Sequence, residues 1–213
     1  SEEIPAGYIP SSMENLRKIF TAKLDDARIS YERIEIYATP RRLVLLGSGI
    51  AEAQREEMIE MKGPAADRAY ADGKPTQALS GFLAGNGLSE KDIVLKETPK
   101  GNYYYGYKKA ESKPTREIIQ DILCATIREL PFPKKMKWGA RGIQYPRPIR
   151  YLLTLFNGEV IRFELDGIVS SNETRGHFVQ QPDMITVPSV AAYPALLRSA
   201  DVILDQNERR EEI

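Results

Sequence analysis

The dipeptide Asn157-Gly158 constrains the fold of this chain more than any other pair of residues. It separates two β-rich segments, RYLLTLF and EVIRFEL, and both residues tolerate the positive φ that a tight hairpin turn requires. We therefore predict an antiparallel hairpin here. Side chains alternate between the two faces of a strand. The apolar residues at alternate positions of the second segment are thus predicted to face the core: Ile161, Phe163 and Leu165.

Two other segments have the periodicity of amphipathic helices. Apolar residues recur at helical spacing over 12–27, where Ser11 and Glu14 form a capping-box sequence that predicts the start of the helix. The same spacing recurs over 115–130 and ends at Pro131, because proline cannot continue a helix. A shorter helix is predicted over 76–84. Helices therefore alternate with extended segments along the chain.

The remaining extended segments flank two turn sequences. One turn is Thr39-Pro40-Arg41-Arg42, and the other is Pro99-Lys100-Gly101-Asn102, for which we predict a turn of more than two residues. The chain lacks the repeated strand-helix-strand order of a doubly wound sheet. The sequence predicts an α+β fold, in which antiparallel hairpins and a mixed sheet pack with helices.

Length and apolar content allow a substantial core. With 213 residues, of which 42% are apolar, the chain can form one large domain or two small ones. We expect one compact unit over 1–213, or two lobes that join near 110–135, with a small loop-rich insertion that begins near residue 60. The first residue is not Met, and the last segment has the pattern of a charged helix. We therefore expect the sequence to be a piece of a longer chain, cut at both ends.

Several classes of chemistry have no support in the sequence. The chain has one histidine, His177, and one cysteine, Cys124, which cannot supply a Cys/His zinc site, and it has no phosphate-binding glycine loop. We therefore expect no cofactor to be bound by this region. The single cysteine and the short apolar runs favour a reducing, cytoplasmic location with no membrane partner.

Positive charge is concentrated in one stretch of a chain whose formal net charge is zero. Residues 130–158 contain six cations, four prolines and the only tryptophan, and no acidic residue, although the chain has 30 basic and 30 acidic side chains. With no carboxylate in the stretch, we expect these cations to need a polyanion or an acidic partner. RNA binding requires cations for the phosphates and planar groups to stack on bases.

The predicted RNA-binding residues combine this stretch with two shorter cationic sequences. They are Arg41, Arg42, Lys134, Lys135, Lys137, Trp138, Arg141, Arg147, Arg150 and Arg175. Trp138 and Tyr145 would either stack on RNA or support the loop. The alternative is a structural loop with solvated lysines, because charged runs are common on protein surfaces. Convergence of the three cationic elements in space is a hypothesis.

Several motifs together resemble one family. They are EEIPAGYIP at the start, YATPRRL at 37–43, KGP at 62–64, TPKGNY at 98–103, LPFPKKMKWG at 130–139, YPRPIRYL at 145–152, TRGH at 174–177 and the closing ERREEI. Their order and spacing resemble the N-terminal part of the β subunit of bacterial heterotetrameric glycyl-tRNA synthetase. One departure is that Phe178 follows His177 directly, whereas the family usually has an arginine between them.

The resemblance implies an enzyme of two α and two β subunits that joins glycine to its tRNA with ATP. The α subunit would hold the catalytic site and use ATP with magnesium, while this region would contribute tRNA recognition and assembly. HD-like and anticodon-binding domains would follow it, and an apolar strand would precede it. At the level of fold, the region is similar to the B3/B4-type module of phenylalanyl-tRNA synthetase β subunits.

Two other functions are alternatives to tRNA recognition. The region could be a structural scaffold that docks other β-subunit domains or the α subunit, with its arginines paired to acidic partners. It could also be a hydrolytic editing module, which would need a concave pocket with titratable groups at hydrogen-bond distance. The sequence contains no plausible nucleophile and base for such a pocket.

Overall fold

The computed structural model describes residues 1–71, 73–99, 101–138 and 142–212, and the chain divides into two compact units. The first unit is Ser1–Gln54 with Lys113–Ile213, and the second is Arg55–Ser112, which is inserted between them. Each unit has its own hydrophobic cluster.

The secondary structure mixes helices with many short strands. The α-helices are α1 Ile9–Asp26, α2 Ala66–Ala69, α3 Gln77–Asn86, α4 Thr115–Glu129, α5 Tyr193–Ser199 and α6 Gln206–Glu211, with 3-10 turns at Ala6–Tyr8 and Glu90–Asp92. The strands are β1 Arg33–Thr39, β2 Arg42–Ser48, β3 Met58–Ala65, β4 Tyr70–Ala71, β5 Lys74–Pro75, β6 Ile93–Thr98, β7 Gly101–Lys109, β8 Met136–Trp138, β9 Ile143–Tyr145, β10 Leu155–Phe156, β11 Glu159–Val160, β12 Glu164–Leu165, β13 Ile168–Val169, β14 Glu173–Arg175 and β15 Met184–Thr186.

Strand pairing confirms the predicted α+β class. Within the described residues, the ladders β1-β2, β8-β9, β10-β11, β12-β13, β14-β15 and β4-β5 are two-stranded, and β3-β7-β6 forms a three-stranded sheet. All of these ladders are antiparallel, and a parallel bridge joins Leu153 to Ser171. The likeness to a B3/B4-type module stays a prediction.

The Asn157-Gly158 hairpin forms as predicted. Asn157 and Gly158 have φ of 49° and 81°, and Phe156 pairs with Glu159 across the turn. The three apolar residues that follow are nearly inaccessible, with exposures of 5% for Ile161, 9% for Phe163 and 0% for Leu165. This local sequence therefore determines both the turn and the face that enters the core.

The first unit is built around two helices and the β1-β2 ladder. Its main cluster includes Leu16, Phe20 and Leu24 of α1, Ile119 and Ile122 of α4, Ile34 and Ile36 of β1, and the apolar residues after the Asn157-Gly158 turn. α4 covers the predicted segment almost entirely, because Leu130 caps it and proline follows. The β1-β2 ladder turns at Pro40 and Arg41, as predicted.

The predicted start of α1 is wrong. The helix begins at Ile9, with Pro10 in its first turn and no side-chain cap at Tyr8. Ser11 lies inside the helix, where its hydroxyl donates to the Tyr8 carbonyl at 3.1 Å. Proline is favoured in a first turn because its missing N–H would have no helical partner there. Pro10 therefore decides where the helix begins, and the capping-box sequence of Ser11 and Glu14 does not.

The second unit is a three-stranded sheet with helix α3 on one face. Leu79 and Leu83 of α3 are buried in its cluster, and Thr76 caps the helix by accepting from the Leu79 N–H. Thr98 pairs with Gly101, which excludes a turn of more than two residues, so the longer predicted turn is wrong. Lys100, which belongs to that predicted turn, lies outside the described residues. Within the described part of the chain, no helix has the length and apolar character needed to cross a bilayer.

Candidate nucleic-acid interface

Two aromatic residues of the cationic stretch, Trp138 and Tyr145, are joined to each other in the β8-β9 hairpin. The Trp138 indole N–H donates to the Tyr145 carbonyl at 2.8 Å. The Tyr145 ring meets Phe132 edge to face, with centroids 4.9 Å apart, and is only 7% exposed. This burial raises the pKa of the Tyr145 phenol. Both residues therefore support the hairpin, and stacking of Trp138 on RNA stays a prediction.

Three lysines, which we call the lysine segment, lie immediately before and on β8: Lys134, Lys135 and Lys137. The side chains of Lys134 and Lys137 are exposed, and Lys137 is opposite the neutral Gln144. The Lys135 ammonium lies 5.9 Å from the centroid of Phe132. Within the described residues, no carboxylate pairs with any of the three. Arg141 lies outside the described residues.

Within the described residues, the arginines that were predicted to bind RNA, unlike the lysine segment, have hydrogen-bond partners in this chain. Glu2 bridges two of them, because its Oε1 lies 2.5 Å from Arg150 Nε and its Oε2 lies 3.0 Å from Arg41 Nη1. We call these three residues the Glu2 cluster. The hydrogen bond from Arg150 lowers the pKa of the Glu2 carboxyl. The acidic partner of Arg150 is therefore Glu2 of this chain, and this cation needs no polyanion to compensate its charge.

Two further arginines bond to backbone carbonyls of the same unit. Arg147 Nε donates to the Glu3 carbonyl at 3.1 Å, and Arg42 Nη2 donates to the Gly176 carbonyl at 3.3 Å. The Arg42 Nε and Nη1 atoms are buried with no hydrogen-bond partner among the described residues. Arg42 is thus directed largely into the protein, and its contact with RNA stays a prediction.

The loop after β14 meets the turn between β1 and β2. The Arg41 guanidinium lies 4.1 Å above the Phe178 ring, which is 56% exposed. Arg175 is exposed, and its Nε contacts Met184 Sδ at 3.2 Å. His177 has a structural role, since its Nδ1 accepts from the Val179 and Gln180 N–H groups, each at 3.4 Å.

The three cationic elements therefore converge only in part. Glu2 connects the 39–42 turn with Arg150, and Phe178 connects the same turn with the loop after β14. Among the described residues, no contact joins the lysine segment to these groups. Sequence reasoning did not include Glu2 or Phe178 in the site, although a phenylalanine directly after a cationic loop was a visible signal.

A cavity of about 690 Å³ lies in the first unit, lined mainly by aliphatic side chains of β2, α4 and the segment after Tyr145. Glu52 is the one carboxylate among its described lining residues, and that carboxylate accepts from Asn157 Nδ2 at 3.0 Å. The described part of the chain contains no group of His, Cys, Asp and Glu residues able to hold a metal ion. This lining does not supply the pattern of titratable groups that an editing site would need.

Comparison with known proteins identifies the family. The family model for the glycyl-tRNA synthetase beta subunit matches residues 1–213. The glycine–tRNA ligase beta subunit of Clostridioides difficile is 38% identical over 213 residues, which are 100% of this chain and 31% of that protein. The proteins of the same name from Moorella thermoacetica and Syntrophotalea carbinolica are 37% and 36% identical over 212 residues, which are 99% of this chain.

The chain spans about a third of the length of these relatives, because its matched residues are 30% to 31% of each of them. The relatives carry the same name, and the match to the family model extends over every residue of the chain. The chain belongs to the glycyl-tRNA synthetase beta subunit family.

Proposed function

We propose that this chain is a tRNA-recognition and assembly region of a glycine–tRNA ligase, the enzyme that joins glycine to its tRNA with ATP. The proposal includes a cytoplasmic enzyme of two α and two β subunits, in which the α subunit holds the catalytic site and uses ATP with magnesium. Family membership supports the assignment to this enzyme. The role of this region rests on its own charges.

The observation that carries tRNA recognition is the lysine segment. An RNA backbone attracts a protein mainly by exchanging its counterions for lysine and arginine side chains. Lys134 and Lys137 are exposed, and no described carboxylate neutralises them or Lys135. The hairpin that presents them is fixed by Trp138 and Tyr145. The charges are therefore available to phosphates on a backbone that needs little ordering when RNA binds.

Salt-dependent binding of glycine tRNA tests this role. We expect the affinity of the 213-residue chain to fall with rising salt, and the triple variant K134Q/K135Q/K137Q to bind more weakly at low salt. Each lost phosphate contact reduces the slope of log affinity against log salt by roughly 0.7 to 0.9. A slope reduction of about two to three is expected, measured by fluorescence anisotropy.

The matched control is K18Q, which removes one exposed lysine from helix α1 and should leave the slope within about one contact of the wild type. Circular dichroism would verify that each variant remains folded. Unchanged affinity and unchanged slope in the triple variant would remove the lysine segment from the tRNA site.

The second candidate function is the scaffold, and the Glu2 cluster bears on it. Arg41 and Arg150 already share a carboxylate of this chain, and Arg147 bonds to a backbone carbonyl. These arginines stabilise the unit that would dock other parts of the enzyme. Co-purification of this chain with the α subunit would support the scaffold function, and tight tRNA binding without subunit contact would argue against it.

A further inference from the structure

The three-stranded sheet of the second unit has one covered face and one open face. On the covered face, Tyr104 and Ile93 pack with the α3 cluster, and a Cβ added to Gly106 would lie 3.1 Å from Phe82 Cζ. Side chains alternate along a strand. The neighbouring residues of β7 therefore point to the opposite face: Tyr103, Tyr105 and Tyr107. We call this surface the tyrosine face.

Charged residues of the two neighbouring strands lie beside these tyrosines. On β3, Lys62 is opposite Tyr105 and Glu60 is opposite Tyr107, while on β6 Lys96 is opposite Tyr103. Lys109 continues the same face at the end of β7. The face therefore has three lysines and one glutamate, in a unit whose nine basic and nine acidic residues cancel in total. Lys109 is paired with Glu56 at 3.0 Å and Lys96 with Glu60, so Lys62 is the lysine of the face without a carboxylate partner among the described residues.

The side chains of the face are held by one another. The Lys62 ammonium lies 3.7 Å from the Tyr103 ring centroid. The Lys96 ammonium contacts both carboxylate oxygens of Glu60, at 2.9 and 2.8 Å, and lies 5.2 and 5.3 Å from the Tyr105 and Tyr107 rings. The Tyr107 hydroxyl donates to Glu60 at 3.2 Å. The rings are thus oriented before any ligand arrives.

This combination has the chemistry of a base-stacking platform. Rings on alternate residues of one strand are about 7 Å apart, so successive rings can each accept a different base. Every nucleobase has a π-face, and lysines beside the rings suit the phosphates between bases. The core of a protein–protein interface is depleted in lysine and glutamate, whereas here Lys62, Glu60 and Lys96 lie directly opposite the three rings.

We propose that the tyrosine face binds unpaired bases of single-stranded RNA, with Tyr103 and Tyr105 stacking on bases and Lys62 contacting the phosphate backbone. This inference goes beyond the proposed function, because it names a different surface and a ligand that is recognised by its bases. It would give the region contact with a loop or an end of an RNA, where bases are not paired.

The test compares two double variants of the full 213-residue chain. The probe is a fluorescent oligouridylate of about 12 nucleotides, a length within the range of known single-strand sites, and a blunt RNA duplex of equal length is the comparison. We expect Y103A/Y105A to weaken oligouridylate binding by roughly 30-fold or more, because the stacking contribution of two bases is lost. Y103F/Y105F keeps the rings and should bind within about three-fold of the wild type.

A second measurement does not depend on any variant. Bases stacked on the rings should shift the ring proton resonances of Tyr103 and Tyr105 upfield when oligouridylate is added to the wild-type chain. Wild-type affinity in Y103A/Y105A, or unshifted tyrosine resonances at saturating oligouridylate, would overturn the proposal. Failure to bind oligouridylate at all would also overturn it.

The outcome is separable from that of the proposed function. K134Q/K135Q/K137Q leaves the tyrosine face intact, so it should retain oligouridylate binding even where it loses tRNA affinity. Loss of oligouridylate binding in this lysine variant, with no loss in Y103A/Y105A, would assign the single strand to the first unit and contradict the inference.

Discussion

The lysine segment and the Glu2 cluster contain the same kind of charge in opposite circumstances. Lys134 and Lys137 are exposed, without a carboxylate partner in the described residues, whereas Arg41 and Arg150 are bound to Glu2 at 3.0 and 2.5 Å. A cation that already has an anionic partner must exchange it for a phosphate, so its gain on binding RNA is smaller. The number of cations in a sequence therefore overstates what a polyanion can contact.

Tyr145 lies in the same stretch as the lysine segment, but its role is to stabilise the fold and not to bind RNA. The largest effect we expect is from Tyr145→Ala, which empties a site that is 7% exposed and removes the edge-to-face contact with Phe132. Truncation of a buried aromatic ring costs about 3 kcal/mol or more. Urea unfolding of the chain should show this loss.

Tyr145→Phe is the matched control, because it keeps the ring and removes only the hydroxyl. It should cost less than about 1 kcal/mol. A Tyr145→Ala variant as stable as the wild type, with reduced tRNA binding, would make Tyr145 a ligand residue and reverse the interpretation of the hairpin.

An intermediate effect is expected from Glu2→Gln, which breaks the Glu2 cluster directly. The loss of two partly exposed ion pairs should cost about 1 kcal/mol of stability at neutral pH. The released Arg41 and Arg150 should then increase tRNA affinity at low salt and steepen its salt dependence. Weaker tRNA binding in a folded Glu2→Gln variant would show that the cluster positions the site instead of blocking it.

The same variant has a pH signature. The pKa of Glu2 is lowered in the folded chain from its ordinary value of 4.5. Its contribution to stability is therefore fully present above that value and is lost as the pH falls through the folded-state pKa. The stability difference between wild type and Glu2→Gln should be largest near neutral pH and shrink below about pH 4.5. A difference that grew on acidification would contradict the assigned pairing.

The smallest effect is expected from Phe178→Ala, which removes the ring beneath Arg41. A partly exposed cation–π contact contributes about 0.5 to 1 kcal/mol. Because the Phe178 ring is 56% exposed, little core packing is lost with it. Phe178→Leu is the control for apolar contact without a π-face. Equal thermal stability of all three proteins would mean that the stacked geometry contributes nothing measurable.

The sequence predicted correctly those turns and helices that depend only on neighbouring residues. The Asn157-Gly158 turn and helix α4 depend on neighbouring residues, and both form where the sequence predicts them. The start of α1 was missed because Ser11 satisfied one motif while Pro10, one residue earlier, satisfied a stronger one. The β6-β7 turn was predicted too long because strand register depends on both strands.

The candidate site could be predicted only as a set of residue types. Trp138 and Tyr145 were recognised as either stacking or supporting groups, and their supporting contacts are seen only in the packed hairpin. The pairing of Glu2 with Arg150 joins residues 148 positions apart, and no periodicity encodes such a contact. The tyrosines at 103, 104, 105 and 107 were visible in the sequence, but which of them lie on the open face follows only from the packing of α3 against Tyr104 and Gly106.

The central claim, that the lysine segment and not the Glu2 cluster contacts tRNA phosphates, is tested most directly by comparing two salt slopes. Glycine tRNA binding would be measured over a range of salt concentrations for K134Q/K135Q/K137Q and for R41Q/R150Q, each verified as folded. We predict a slope lower by about two to three in the lysine variant and by less than about one in the arginine variant. A larger reduction in the arginine variant, with an unchanged slope in the lysine variant, would contradict the account.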